Sequence, residues 1–392
     1  MALQGNMLHA AFAKTLDLGS KSVDLKGKFL FCWPYIWEDT VNWENIQMLT
    51  RTVTDWVQTC LPDTTSERVQ SHVVFALYHC PSTWRHTCSK DQRSYDKLVL
   101  YSKIMHLYYE IDDTTEEEEG NAHHAPYVKS VGAMVTKILQ YDFKTQEELK
   151  RDKLYGSITQ ISKLAGSLME LLNDCAMDLK EHFGVTKDMG QYFSRQSGYI
   201  YSMQSWCGVN NQQHYLNPYT QYHLRQFTGG ICALQEIVFL LEGIHVPRSV
   251  RDNPFWARCL EVAGFLPTRV NDIISVEKEW KQVKQFGKAV DNVVFHYMDA
   301  TNCTFEQAVT RGLGEHNLAL KEFHDFLKYF KNNPKMLEEL TEEEKDIFAR
   351  STSVMAEYVS CGIQGQLLMR RYNSGLKLSF ESCIVYGLGS QD

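Results

Sequence analysis

The chain has 392 residues, 44% of them hydrophobic and 12% aromatic, with only 9 prolines. That composition excludes an intrinsically disordered chain and supplies enough apolar surface for a large core. A formal charge of −8 offers no basic face for tracking a phosphate backbone, which argues against a nucleic-acid partner, so an anionic substrate would have to be held by metal ions and a few placed cations.

The first 33 residues read as an N-terminal extension. They lack both the long apolar core of a secretory signal and the arginines of a transit peptide. No uninterrupted apolar run of about 18 residues follows, so no membrane span is expected and the expected location is cytoplasmic. From residue 40 onward helical periodicity dominates, and the spacing predicts helices over Asn42–Cys60, Ser94–Ile111, Pro126–Tyr141, Ser157–Phe183 and Thr220–Leu241. Further helices are predicted over Pro254–Trp280, Ala289–Ala300, Glu315–Tyr329 and Glu343–Tyr372, with Pro254 suited to a first helical turn. Polar stretches at Thr114–His124 and Lys331–Glu344 read as loops. Period-two alternation is scarce, so no sheet is expected. The 11 cysteines form no CxxC pair and read as reduced core thiols. The expectation is one all-α domain over residues 1–392, with 373–392 as a C-terminal tail.

Within this frame two clusters carry chemistry. Asp112, Asp113 and Glu116 close an apolar, aromatic helix that contains Tyr101, Met105 and Tyr108. Carboxylates there meet the negative end of the helix dipole and lose solvation against aromatic surface, a combination that a cation would relieve. An exposed acidic turn capping a core helix is the other reading. Asn271, Ser275 and Glu279 stand at i, i+4 and i+8, which stacks an amide oxygen, a hydroxyl and a carboxylate along one helix face. Three oxygen donors in a row suit a hard cation such as Mg2+. Two such clusters imply a diphosphate as the shared ligand. Arg225, Lys278 and the pair Arg371-Tyr372 are the cations and donors placed to meet it, arginine through its bidentate fork. No P-loop, HExxH or GxSxG is present, and His123-His124 reads as a solvent-facing pair.

The set DDTTE (112–116), NDIISVEKE (271–279), Arg225 and Arg371-Tyr372 resembles class I terpene synthases, the cyclases of the microbial and non-plant eukaryotic type. The likeness in order and spacing runs from about residue 34 to 373. It implies a bundle of helices around a deep apolar cavity with three Mg2+ ions at its mouth. By resemblance Asp112 is the chief ligand of the first motif, supported by Asp113 and Glu116, while Asn271, Ser275 and Glu279 hold the third ion. Arg225 corresponds to the pyrophosphate sensor, Thr228 to the linker and Gly229 to the effector whose carbonyl faces the reacting carbon. The chain departs from the pattern at Gly365 and Met369, where the family often has Trp and Ser.

The function implied is ionisation of a linear prenyl diphosphate and cyclisation of the allylic cation, with aromatic faces such as Tyr108 stabilising it; for Tyr108 simple core packing stays open. Small residues at Gly264 and Gly365 tilt the substrate toward geranylgeranyl over farnesyl diphosphate. Two alternatives remain, a chain-elongating prenyl diphosphate synthase and a non-catalytic cation-binding helical scaffold. Homodimerisation is left open by the sequence.

Overall fold

Apolar positions recurring every three to four residues fold into helices over most of the chain, as the periodicity requires. The computed structural model describes residues 6–17, 22–33, 43–117, 124–210, 216–286, 291–368 and 377–382. Strands β1 (Asn6–Asp17) and β2 (Ser22–Trp33) come first. Helices α1 (Trp43–Val57), α2 (Ser66–His79), α3 (Ser82–Thr87), α4 (Gln92–Glu117), α5 (His124–Leu139), α6 (Gln146–Arg151), α7 (Lys153–Ile161), α8 (Lys163–Glu181) and α9 (Lys187–Asn210) follow. Then come α10 (Pro218–Thr228), α11 (Ile231–Leu241), α12 (Arg248–Arg251), α13 (Pro254–Ile274), α14 (Val276–Phe286), α15 (Val293–Thr301), α16 (Phe305–Asn332), α17 (Glu342–Leu368) and strand β3 (Lys377–Ser382). These elements group into two units, one of Met1–Ile36, Asn210–Ile231 and Val246–Asp392, the other of Trp37–Val209 and Cys232–His245.

In the second of these units α4 is the central element, packed against α2 and α8. It buries Leu98, Tyr101, Ile104, Met105, Leu107, Tyr108 and Ile111. Side-chain caps start helices of this unit where Ser, Thr and Asp precede an apolar run: Thr65 accepts from the Arg68 amide, Asp152 from that of Leu154 and Ser162 from that of Ala165. Tyr101 donates its hydroxyl to the His79 carbonyl at 3.2 Å, which places that ring in the packed interior. Helices α2 and α9 lie outside the segments that periodicity singles out. In α9 serine, glutamine and glycine interleave with tyrosine, so its two faces differ little in polarity.

The unit that holds both chain ends departs from the all-helical expectation by a small sheet. Strands β2, β1 and β3 pair antiparallel in that order. Val23, Leu25 and Phe29 are buried while Asp24, Lys26 and Lys28 are exposed, the alternation of a half-buried strand. The signal was present in β2, but β3, which completes the sheet on the other edge of β1, lies more than 340 positions beyond it. Phe12 stands opposite Gly27, and their face of the sheet lies on α16. A Cβ at Gly27 would overlap Leu313 of α16 and come within 2.8 Å of the Phe12 ring. The Phe29 ring meets His316 edge-on at 5.4 Å, and Asn317 donates to the Lys28 carbonyl at 3.2 Å.

Three predicted helices are interrupted: Ser157–Phe183 divides at Ser162 between α7 and α8, and the other two breaks each fall beside a residue of the candidate site. The segment Thr220–Leu241 divides into α10 and α11 at Gly229 and Gly230, the latter with φ +72°, a conformation that glycine adopts without steric cost. The segment Pro218–Leu241 is long and apolar enough by composition to cross a membrane, with an 18-residue window of mean hydropathy 1.2. With 72% of that window buried inside the protein and the helix broken, it reads as a core segment. The segment Pro254–Trp280 divides at Ser275. Asn253 caps α13 by accepting from the Phe255 and Trp256 amides, and Pro267 removes one amide from its interior. Thr268 turns its hydroxyl back to the carbonyls of Phe265 at 2.7 Å and Gly264 at 3.3 Å.

The methyl of Thr268 lies where a Cβ on Gly229 would be, so α10 ends against α13 only because residue 229 has no side chain. Gly229→Ala should lower the melting temperature by several degrees and reduce turnover, an overpacking cost of about 1–3 kcal/mol. Thr268→Ser deletes that methyl and keeps the hydroxyl, so the double variant should recover part of the loss. Equal melting temperatures for Gly229→Ala and wild type in a thermal unfolding series would show that the two helices can separate freely.

Candidate functional site

Asn271, Ser275 and Glu279 keep a common face across the α13–α14 junction. Ser275 lies outside both helices but has φ −87° and ψ −6°. Its amide donates to the Asn271 carbonyl at 2.9 Å, and the Glu279 amide donates to the Ser275 carbonyl at 3.2 Å. Helical register therefore continues through the break. The Ser275 hydroxyl donates to Glu279 Oε1 at 2.6 Å, and Asn292 Nδ2 donates to Glu279 Oε2 at 2.6 Å and to the Asp272 carbonyl at 2.6 Å. Burial pushes the Glu279 carboxyl up to about 7, and the charge of Asp272 acts in the same direction against the Ser275 and Asn292 hydrogen bonds and Arg225. Lys278, next in sequence, is exposed.

Arg225 of α10 reaches this row. Its Nε donates to Asp272 Oδ1 at 2.8 Å and its Nη2 lies 2.7 Å from the same oxygen. Nη2 also donates to Asn271 Oδ1 at 3.4 Å, and Nη1 to the Thr228 hydroxyl at 3.3 Å. Thr228 passes its own proton to Asp291 Oδ2 at 3.3 Å, 4.0 Å from Arg225 Nη1. Burial opposes the charge on Arg225, but the carboxylates of Asp272, Asp291 and Glu279 outweigh it and raise its pKa. Burial also opposes ionisation of Asp291; the hydrogen bond to His296 and the charges of Arg225 and His296 prevail and hold its carboxyl at about 2. Arg269, wholly buried, takes Asp272 Oδ2 at 3.1 Å and forms an ion pair with Glu315 of α16 at 3.1 Å.

Sequence reasoning found Asn271, Ser275, Glu279, Arg225 and Thr228 but passed over Asp272, Asp291, Asn292 and Arg269. Asp272 stands within the motif, one residue off the row. Asn292 carried a local signal, since its side chain caps α15 by accepting from the Val294 amide at 2.9 Å. Asp291 carried none, because two of its partners, Gln221 and Thr228, come from α10, more than 60 residues earlier, and only His296 is near it in sequence.

In the other unit the aspartates lie inside α4, which runs on to Glu117. Asp112 Oδ1 accepts from Gln204 Nε2 at 2.6 Å, and Glu116 stands one helical turn after Asp112. Asp113 Oδ2 takes Arg68 Nη2 at 3.1 Å, while Arg68 Nε donates to buried Glu110 at 2.6 Å. His72, His106 and Glu110 cluster there with ligand-type atoms within 4.8 Å of one another. The hydrogen bond between the two imidazoles at 2.8 Å and the Arg68 contact on Glu110 account for that trio without an ion. Tyr108 is buried and its hydroxyl lies 2.5 Å from Ser197 Oγ. Ser197 gives its own proton to the Phe193 carbonyl, so Tyr108 is the donor. Arg371 and Tyr372 lie outside the described residues.

The row of α13 and α14 offers oxygen only, from an amide, a hydroxyl and a carboxylate. Its Ser275 and Glu279 oxygens are 2.6 Å apart, close to the ligand spacing of about 2.9 Å along an edge of an octahedral Mg2+ shell. A half-buried carboxyl raised to about 7 is also one that a cation would stabilise in its ionised form. The donor set fits such an ion.

Residues 103–322, more than half of the chain, match the family model for terpene synthase family 2, C-terminal metal binding. No curated protein matches the chain in sequence. Among solved structures, 2-methylisoborneol synthase from Streptomyces coelicolor A3(2), in complex with Mg2+ and 2-fluoroneryl diphosphate, aligns with a TM-score of 0.63 at 16% identity, covering 86% of this chain and 94% of its own. Germacradien-4-ol synthase from Streptomyces citricolor gives 0.60 at 13% identity, covering 82% and 95%. A single-substitution variant of cucumene synthase gives 0.63 at 13% identity, covering 84% and 96%. At these identities the likeness is one of fold, the helical fold of class I terpene synthases. With that fold, and with the family's model spanning most of its length, the chain belongs to the terpene synthase family: it is a class I terpene cyclase, a carbon–oxygen lyase acting on phosphates.

Proposed function

We propose that the protein ionises a linear prenyl diphosphate of 15 or 20 carbons and cyclises the resulting allylic cation, with geranylgeranyl diphosphate favoured over farnesyl diphosphate. The observation that carries this reading is Arg225, fixed by Asp272 and Asp291 beside the oxygen row of Asn271, Ser275 and Glu279. A 2-methylisoborneol synthase of the same fold holds Mg2+ together with a fluorinated prenyl diphosphate. Mg2+, three ions by the family resemblance, would supply the positive charge that stabilises diphosphate as it departs.

Each residue has a role in this reading. Asn271, Ser275 and Glu279 hold one ion, and Asp112, with Asp113 and Glu116 in support, supplies the carboxylates of the other motif. Arg225, its fork held on Asp272, brings a fixed positive charge to the diphosphate oxygens. Its guanidinium is already oriented by Asp272 and Thr228, so little reorganisation is needed when charge develops on the leaving group. Thr228 and Gly229 end α10 against α13, which sets where the Gly229 carbonyl stands. Lys278, Arg371 and Tyr372 complete the diphosphate contacts and Tyr108 faces the cation.

Activity should require a divalent cation. Asn271→Ala or Glu279→Ala should lower diphosphate release from geranylgeranyl diphosphate by about 100-fold or more, with unchanged circular dichroism. Full turnover in excess chelator, or by the double variant, would remove the row from the mechanism.

Arg225→Lys keeps a positive charge and loses the fork, so kcat at saturating substrate should fall by about 10²–10³-fold. Rates matching wild type would make Arg225 only a partner for the buried Asp272.

A further inference from the structure

Lys14 lies on the inner face of β1, opposite Leu25 of β2. Its ammonium is 2.7 Å from Glu277 Oε2, and its side chain is only 9% exposed. The other oxygen, Glu277 Oε1, takes Lys281 Nζ at 3.2 Å from one turn further along α14. Glu277 is thus held at both oxygens, and the partner on the sheet side is the sheltered one. An ion pair with so little water around it resists separation far more than an exposed one.

Glu277 sits two residues after Ser275 and two before Glu279. Two residues on a helix are about 200° of rotation, so Lys14 grips the side of α14 opposite the one that presents the oxygen row. The sheet reaches the same site by a second route. Strand β2 seats on α16 through Phe29 against His316 and the Asn317 bond to the Lys28 carbonyl. The residue before His316, Glu315, pairs with Arg269, which holds Asp272 next to Asn271.

We propose that the sheet built from the two chain ends positions the metal row, with Lys14 as a positioning residue that acts through Glu277 on Ser275 and Glu279. This rests on the assignment of Asn271, Ser275 and Glu279 as cation ligands. It assigns the N-terminal strands a part in cation binding rather than leaving them as an appendage of a helical enzyme.

The test uses the full chain with Mn2+ as the probe, its free concentration followed by electron paramagnetic resonance, alongside thermal unfolding of each variant. Lys14→Met keeps the apolar stem and removes the charge; Glu277→Gln keeps the shape of the partner. Either should weaken Mn2+ binding by about tenfold, the low end for residues that orient metal ligands, and raise the Mg2+ concentration for half-maximal turnover by a similar factor. Lys14→Arg should bind like wild type. Glu279→Ala is the reference: if wild type binds Mn2+ no better than Glu279→Ala, the ligand assignment itself fails. If Glu279→Ala loses binding while folded Lys14→Met and Glu277→Gln keep wild-type affinity and lose only melting temperature, the pair is a structural tie and the proposal is overturned. Failure of both variants to fold overturns it equally, since the pair then serves the fold as a whole.

Discussion

One carboxylate, Asp272, holds together the helices that carry the oxygen row. It is fully buried and lies between two guanidinium groups, Arg225 on one oxygen and Arg269 on the other. Neither arginine is tolerable in such a place alone. Taking a charge out of water costs several kcal/mol, and removing one member of a buried set typically destabilises by about 3–5 kcal/mol because the others are left uncompensated. Through this carboxylate α10 is tied to α13, and through Arg269 and Glu315 α13 is tied to α16. The backbone carbonyl of the same residue accepts from Asn292, so the start of α15 is set by it as well.

The organisation that results is one of shared donors. Asn292 serves Glu279 and Asp272 with one amide group, and Asp291 gathers Thr228, Gln221 and His296. A ligand that draws on any of these groups meets side chains already oriented by second partners, which is the condition for strong electrostatic work at low reorganisation cost. The break at Ser275 fits the same purpose. It removes one residue from regular helix while the flanking backbone bonds keep register, so the serine hydroxyl and the Glu279 carboxylate come into contact without disturbing the row.

Most of the helical content was legible in the sequence, because burying a stripe leaves a repeating trace of apolar residues. What escaped notice had specific physical causes. Helix α9 lacks contrast between its faces. The break in Thr220–Leu241 was written in Gly229 and Gly230, yet glycine within an apolar run does not by itself say that a neighbouring threonine methyl occupies the missing side chain's place. The oxygen row was legible because its spacing is local. Asp291 was not, since its importance arises only when α10 and α15 come together, and Asp272 was hidden by its own motif, one residue off the oxygen row. The strand pair showed alternation in Val23, Leu25 and Phe29, but a sheet is decided by partners, and β3 belongs to the last part of the chain.

That sheet joins the beginning of the chain to its end, with β1 in the centre, β2 on one side and β3 on the other. During synthesis β1 and β2 can pair at once, being neighbours in sequence. The far edge of β1 then stays open until β3 has been made, and the loop closed by β3 is more than 350 residues long. Entropy of closure grows only slowly with length, so the finished sheet is not penalised heavily, but the waiting time is long. In that interval an unpaired strand edge can take a strand from another nascent molecule. The alternating lysines and aspartate of β2 and the short length of β3 are features that keep such mispairing weak. Completion of the sheet therefore waits on β3, and a chain cut short before Lys377 would leave one edge of β1 unpaired.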